Sequence, residues 1–378
     1  MVQNINPFVV SGKIPPAYFC DRVSEAETLQ QAIENQMNVV LTSSRRMGKT
    51  ALVDLVVNKP EIRENYVAIC VDILHTTTFR EFIFSLGTSV FETVATRSEK
   101  LRKQFVTALK SLSASFGYDP VRNIPTFDIR LGDVQRPEFT LGEIFEYLEN
   151  VEQRCLVVID EFQQITLYPE KNVEAILRTH IQNLSNTNFV FSGSRRRLIE
   201  EMFFSTKRPF YQSTKSLRLE PIDPIIYRDF ALQHFHAAEK NIDTEAFNFV
   251  YDSFQGVTFY VQRIMKEAFA ITHTGETCDL ATVQQLIDGL IGENDSQLRE
   301  QLAFITEAQK ELLYAIHEAK EAENITSMAF TKRYRLRSPS STQSAALKLL
   351  DYDLITKKEN RYTISDPLFR LWLDKKKV

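Results

Sequence analysis

Cysteine is scarce in this chain: Cys20, Cys70, Cys155 and Cys278 are the only four in 378 residues, and no two of them stand as Cys-x-x-Cys. That spacing argues against a disulfide framework and against a zinc-type cluster. Cys70 and Cys155 lie in apolar runs and read as small buried hydrophobes. No stretch approaches the roughly 18 apolar residues of a membrane span, so no contact with a membrane is expected. Residues 1–10 lack a basic start and a long apolar core, so no signal peptide is expected and a reducing cytoplasm is the expected home. Neither sign of charge dominates, with 45 Lys/Arg against 49 Asp/Glu and a net charge of −4. The whole protein is therefore not a nucleic-acid polycation. Internal repeats and low-complexity tracts are missing too. What is present, 43% hydrophobic residues over this length, is enough to bury the cores of about two or three domains.

The charge is unevenly spread. Residues 325–378 carry 12 Lys/Arg and 5 Asp/Glu, a local +7. This end of the chain is where an acidic partner is expected; a solvated basic face is the plainer alternative.

Chemistry is concentrated in the run Ser43-Ser44-Arg45-Arg46-Met47-Gly48-Lys49-Thr50-Ala51. A short apolar strand, Val39-Val40-Leu41, precedes it, and a segment with helical spacing, Ala51 to Val57, follows. Strand, Gly-Lys-Thr turn and helix in that order are the context of a phosphate-binding loop. Backbone N–H groups at the helix start and the helix dipole favour an anion there. In such a loop Lys49 reaches the β and γ phosphates of ATP, and the Thr50 hydroxyl ligates Mg²⁺. The consensus expects glycine at position 43, where this chain has Ser43. A serine makes the turn if its φ is not strongly positive.

A second run, Cys155-Leu156-Val157-Val158-Ile159-Asp160-Glu161, is apolar and ends in two acids. It reads as a buried parallel strand. Asp160 then stands at the carboxyl end of a strand, where open α/β sheets place their ligands. Asp160 is the candidate to support Mg²⁺ and Glu161 the candidate to orient or deprotonate the attacking water. A third strand, Asn188 to Phe191, ends in Ser192-Gly193-Ser194. Either Ser192 or Ser194 could contact the γ-phosphate or the water, or the three residues could form a simple turn. Arg195, Arg196, Arg197 and Arg208 are candidates for an arginine finger. Arg263 is a candidate second sensor, with a surface arginine as the alternative.

Strands alternate with helical segments up to residue 221, which predicts a parallel sheet covered on both faces. A helix over 25–35 is expected to start from Ser24, with Glu27 at the capping-box distance. Helices are also expected over 78–96, 98–113, 141–151 and 172–183, and a short exposed strand over 127–131. After Pro221 the strands stop and four helical segments follow. From residue 306 the order is three helices and two short strands, a winged-helix pattern whose last helix, opening Ser340-Ser341-Thr342-Gln343-Ser344, is the one that would enter a major groove. Lys348, Arg333, Arg335, Arg337, Lys357, Lys358 and Arg361 could meet duplex DNA. The alternative is a winged helix used for protein contacts alone. The expected domains are residues 1–221, 222–295 and 296–378.

Together these motifs resemble the AAA+ class of P-loop NTPases, and more closely the archaeal-type ATPase family of archaea and bacteria, within the signal-transduction ATPases with numerous domains (STAND). Asn6-Pro7-Phe8 and Pro16 to Arg22 resemble the family's lead-in, Ser44 to Thr50 its phosphate loop, Ile159-Asp160-Glu161-Phe162-Gln163 its acidic strand end, Phe191 to Ser194 its sensor strand, and Ser365-Asp366-Pro367-Leu368-Phe369-Arg370-Leu371-Trp372 its ending. The chain departs from the family pattern at Asp21, where glycine is usual, and at Thr258, where proline is usual. The resemblance implies an α/β P-loop domain with an AAA+-like helical lid and a C-terminal winged helix. It also implies an ATPase using ATP/ADP and Mg²⁺, with Tyr18, Phe19 and Arg22 lining the adenine pocket. Hydrolysis is expected to be slow, and a homo-oligomer is open. The family also resembles replication-initiator ATPases of the Orc and Cdc6 kind, which join the same three modules. The alternative function is a nucleotide-gated module for protein interaction or oligomerisation, with little turnover and no DNA binding.

Overall fold

The computed structural model describes residues 6–111 and 131–376, and the backbone alone of 115–119 and 124–128. The chain forms two compact units, one of residues 13–17 and 22–220 and one of residues 6–12, 18–21 and 221–376.

The first unit runs α1 (Val23–Glu34), β1 (Val39–Thr42), α2 (Lys49–Val57), α3 (Pro60–Asn65), β2 (Tyr66–Asp72), α4 (Phe79–Arg97), α5 (Glu99–Ala108), β3 (Ser115–Asp119), β4 (Ile124–Asp128), α6 (Pro137–Asn150), β5 (Arg154–Asp160), α7 (Val173–Ile181), β6 (Thr187–Gly193), α8 (Arg196–Phe204) and β7 (Lys215–Arg218). Five strands form a parallel sheet in the order β2-β5-β6-β1-β7. Alternate residues of the central strands feed two hydrophobic layers, as a period of two requires. Val157, Ile159, Phe189 and Phe191 enter one layer; Leu41, Leu156, Val158 and Val190 enter the other. Phe191 is fully buried, and its ring lies 4.5 Å from Phe162, 5.2 Å from Phe203 and 5.5 Å from Phe210.

Local details depart from the sequence expectation. Arg22, in the left-handed region at φ 64°, is the residue that precedes α1, and Ser24 lies inside the first turn bonded to Glu25 instead of capping it. Cys155 is buried as expected, but Cys70 is exposed on the edge strand β2. The helix expected to end at 113 stops at Ala108. The strand expected over 127–131 begins at Ile124 and pairs with β3 in a hairpin, while residues 129–130 lie outside the described residues.

The second unit contains α9 (Pro224–Ala237), β8 (Asn241–Ile242), α10 (Thr244–Ser253), α11 (Thr258–Ile271), β9 (Thr277–Cys278), α12 (Leu280–Glu293), α13 (Asp295–Ala303), α14 (Glu307–Ala319), β10 (Ala322–Glu323), α15 (Met328–Arg333), α16 (Pro339–Asp351), β11 (Ile355–Lys358), β12 (Arg361–Ile364) and α17 (Pro367–Lys376). The strands do not stop at Pro221, because β8 and β9 pair over two residues each. The wing hairpin β11–β12 gains β10 as a third, antiparallel strand. One hydrophobic core runs through the lid helices and the winged helix, from Phe254, Tyr260 and Leu290 to Leu368, Phe369 and Trp372. Polar bonds fasten α17 to the lid: Tyr260 donates to Asp366 at 2.8 Å, Arg370 to the Ser253 carbonyl at 2.7 Å, and Trp372 Nε1 to Asp295 at 2.7 Å.

Because Phe191 packs against four aromatic rings, Phe162, Phe189, Phe203 and Phe210, in a dry layer, Phe191→Ala is expected to lower stability by about 3–5 kcal/mol. Phe304→Ala, at a residue 76% exposed, is expected to change it by less than about 0.5 kcal/mol. Urea unfolding of the two variants measures the contrast.

Candidate nucleotide site

The site stands at the carboxyl edge of the sheet because the strands end in step. Thr42 pairs with Gly193, Leu41 with Ser192, and Asp72 with Asp160 across the parallel ladders. Each strand delivers a polar residue just beyond its last apolar one.

After β1 the loop 43–48 turns into α2. Ser43 does not adopt positive φ, whereas Arg46 (φ 66°) and Gly48 (φ 90°) do. The left-handed positions of the loop thus fall at 46 and 48, and position 43 has no steric need of glycine. Ser43 is instead a buried polar partner: its Oγ donates to the Ser44 carbonyl at 2.7 Å and accepts from Lys49 Nζ at 3.1 Å. The Lys49 ammonium, 7% exposed, also lies 3.4 Å from the Ser44 carbonyl. Gly48 precedes α2 with no side-chain cap, which is the arrangement that leaves helix N–H groups to an anion. Met47 is buried and anchors the loop; Ser44, Arg45 and Arg46 are exposed. Ala51 lies in the first turn of α2.

Thr50 Oγ1 donates to Asp160 Oδ2 at 3.2 Å. This meets the needs of Mg²⁺, which is held in nucleotide sites by one or two protein oxygens together with phosphates and water. Among the described residues no cluster of three or more His, Cys, Asp or Glu forms a metal cage. One turn beyond Thr50, burial raises the Asp54 carboxyl above its usual range; Lys13 opposes the rise and the Asp160 charge adds to it.

Glu161 is in the left-handed region at φ 55°. Its Oε2 accepts from Ser194 Oγ at 2.8 Å, from Ser194 N at 3.4 Å and from Gln163 Nε2. The structure therefore joins Ser194 to Glu161. Ser192 is not joined: its Oγ is buried without a partner. Sequence reasoning gave Gln163 no role beyond membership of a motif, since its contact depends on how the turn after β5 folds back.

The arginine candidates are distributed differently. Arg196 pairs with Glu200 at 2.6 Å and Arg208 with Glu174 at 2.6 Å. Burial raises the Glu174 carboxyl, Arg208 opposes the rise and Glu201 adds to it. Arg195 precedes α8 and Arg197 is exposed. Arg263 is engaged by Glu267 and, at 3.3 Å, by Glu293. Arg22, 5% exposed, binds Glu25 Oε1 at 2.7 Å. Burial pushes the Glu25 carboxyl up, but the hydrogen bonds from Arg22, Ser24 and the backbone, with the Arg22 charge, together hold it below its usual range. Tyr18 and Phe19 belong to the second unit, where the Tyr18 ring meets His234 edge-on at 5.6 Å.

Restoring the consensus glycine at 43 is expected to destabilise the nucleotide-free protein. Ser43→Gly removes the hydroxyl that receives Lys49, a loss of about 1 kcal/mol, and Gly48→Ala is expected to cost about 1–2 kcal/mol from its left-handed backbone. Thermal unfolding without nucleotide reads both.

Residues 296–375 match the family described as a probable winged helix domain. No curated protein matches the sequence. Among solved structures the chain is similar to a Walker-type ATPase of Pyrococcus abyssi, with a TM-score of 0.69 at 17% identity over 97% of this chain and 99% of that one. It is similar to the ORC2 protein of Aeropyrum pernix in ADPNP–ADP complexes, with a TM-score of 0.61 at 14% identity over 99% and 97% of the two chains. The ORC1 protein of Aeropyrum pernix in complex with DNA follows, with a TM-score of 0.53 at 12% identity over 98% and 97%. With its parallel sheet, phosphate-type loop and matched winged helix, the chain has the fold shared by these Walker-type ATPase and ORC structures, with a winged-helix domain at residues 296–375.

Proposed function

We propose that this protein binds ATP with Mg²⁺, hydrolyses it slowly, and uses the nucleotide state as a switch whose output is the winged helix acting on duplex DNA. The observation that carries the nucleotide part is the contact of Thr50 with Asp160 beside the buried Lys49 ammonium. In this reading Thr50 and Asp160 would hold Mg²⁺, which would supply positive charge beside the phosphates. Lys49 and the N–H groups along Ser44–Ala51 bind the phosphates. Glu161 takes a proton from the attacking water as the new bond to the γ-phosphorus forms and the bond to the ADP oxygen breaks. The proton then leaves with phosphate or solvent. Arg196 and Arg208 are engaged by carboxylates of their own chain, which supports slow unassisted turnover, since an arginine finger adds about 10³–10⁵ in rate. An arginine supplied by a second copy is the corresponding reason to expect a homo-oligomer. Arg22, in the unit that carries the loop, remains a proposed base-binding residue.

The DNA part rests on side chains of the winged helix. Ser338 and Thr342 are used internally, Ser338 bonding the Ser341 amide at 3.2 Å and Thr342 bonding the Ser338 carbonyl at 2.8 Å. Ser340, Gln343, Ser344 and Lys348 face outward on α16, with Arg333, Arg335, Lys357 and Lys358 exposed around them. Arg361 is a weaker candidate, because Glu323 at 2.8 Å and Glu321 at 3.1 Å already hold it. The DNA-bound relative makes a duplex the partner to test first.

A second reading, a nucleotide-gated protein-interaction module, is favoured by one observation. Phe304 (76% exposed) and Tyr352 (43%) meet edge-on at 5.5 Å, and Leu347 of α16 is 46% exposed.

Lys49→Ala is expected to abolish ATP turnover, and wild type to bind duplex DNA with an affinity that falls as salt rises, by a log–log slope near one per phosphate contacted. Lys357→Glu/Lys358→Glu is expected to weaken that binding without changing turnover. Filter binding at two salt concentrations alongside a phosphate-release assay measures both. Nucleotide binding with negligible turnover and no salt-dependent duplex binding would favour the second reading.

A further inference from the structure

Gln163 is 2% exposed and lies two residues beyond Glu161. Its placement is fixed from several directions. Phe162, fully buried, packs its ring 4.5 Å from Phe191 and 5.4 Å from Phe210. The Gln164 amide N–H closes the turn onto the Glu161 carbonyl at 2.8 Å, and Thr166 Oγ1 donates to the Gln163 carbonyl at 2.8 Å. The side-chain amide lies over the Cα of Gly193, where an added Cβ would collide with Gln163 Oε1 and with Ile199. Glycine at 193 is thus required by close approach, not by an unusual φ. The amide orientation follows from chemistry: an ionised carboxylate only accepts, so Nε2 must face Glu161 and Oε1 the other way. Oε1 is buried with no partner. Leaving that acceptor unsatisfied is costly, so the amide is held there against a penalty.

Three donors converge on a single carboxylate oxygen. Gln163 Nε2, Ser194 Oγ and Ser194 N all address Oε2 of Glu161, and no described hydrogen bond engages Oε1. A carboxylate held by one oxygen cannot rotate about its terminal torsion without breaking three charge-assisted bonds. We infer that Gln163 is a positioning residue for the hydrolytic step: with Ser194 it locks the Glu161 carboxylate so that Oε1 alone is presented to the attacking water. This inference rests on the ATPase reading given above. It adds that the base is aimed by a buried amide from its own turn, and that Gly193 is the space this amide needs.

The test is steady-state hydrolysis of Mg-ATP by the full chain, with affinity for a fluorescent ATP analogue and the melting temperature measured in parallel. Gln163→Leu keeps most of the volume and removes the donor. It is expected to lower kcat at least about tenfold, as small misplacements of a catalytic group do, with KM and analogue affinity unchanged. Because Gln163 and Ser194 act on one oxygen, Gln163→Leu/Ser194→Ala is expected to lose clearly less than the product of the two single effects. If Gln163→Leu does not fold, Gln163→Asn, which keeps the amide but shortens its reach, is expected to lower kcat with analogue affinity unchanged. A kcat unchanged or raised by these variants, or a strictly multiplicative double variant, would overturn the inference while leaving the ATPase reading intact. A wild type with no Glu161-dependent turnover, judged against Glu161→Gln, would overturn both.

Discussion

Everything in the candidate site depends on the in-step register of the parallel sheet. Thr42 beside Gly193, Leu41 beside Ser192 and Asp72 beside Asp160 set the strand ends level to within a residue. A slip of one residue would turn each apolar side chain of β5 to the other face. That register is held by two dry layers, since Val157 and Ile159 pack with Phe189 and Phe191 on one side, and Leu156 and Val158 pack with Leu41 and Val190 on the other. Packing thus fixes the height of every polar residue at the sheet edge. Thr50 reaches Asp160, and Glu161 reaches Ser194, because the layers leave no alternative.

The buried Lys49 ammonium is the second constraint. A charge so little exposed needs oxygen partners, and here it finds Ser43 Oγ and the Ser44 carbonyl. The same two oxygens belong to the turn that a phosphate would enter. Ser43 therefore replaces glycine with a side chain that serves the loop, while the left-handed turns are taken by Arg46 and Gly48. In the other unit, α17 binds the winged helix to the lid through Asp366, Arg370 and Trp372, so the residues of the family-like ending are the ones that hold these two modules in one core.

What was legible in the sequence was local and periodic. β1, the Gly-Lys-Thr turn and α2 could be read because apolar strand, turn and helix follow one another within about one short stretch. β5 could be read because five buried residues precede two acids, and the wing because its strands flank Lys358-Glu359-Asn360-Arg361. What was hidden depends on tertiary contact or on backbone sign. Ser24 has the right chemistry for a cap, yet Arg22 in the left-handed region takes the position and leaves Ser24 in the helix. Arg46 gives no residue-level hint of positive φ. Cys70 sits in an apolar run but on an edge strand. Gln163 looks like any polar residue after a strand, and only the fold back over Gly193 shows what its amide touches.

The most direct measurement of the central claim is calorimetric titration of ATP, with and without Mg²⁺, into wild type and Asp160→Asn. If Thr50 and Asp160 form the metal seat of a nucleotide site, Mg²⁺ should tighten ATP binding to wild type, and that gain should be largely lost in Asp160→Asn while metal-free binding persists. Equal tightening by Mg²⁺ in both proteins, or no ATP binding to wild type, would contradict the account.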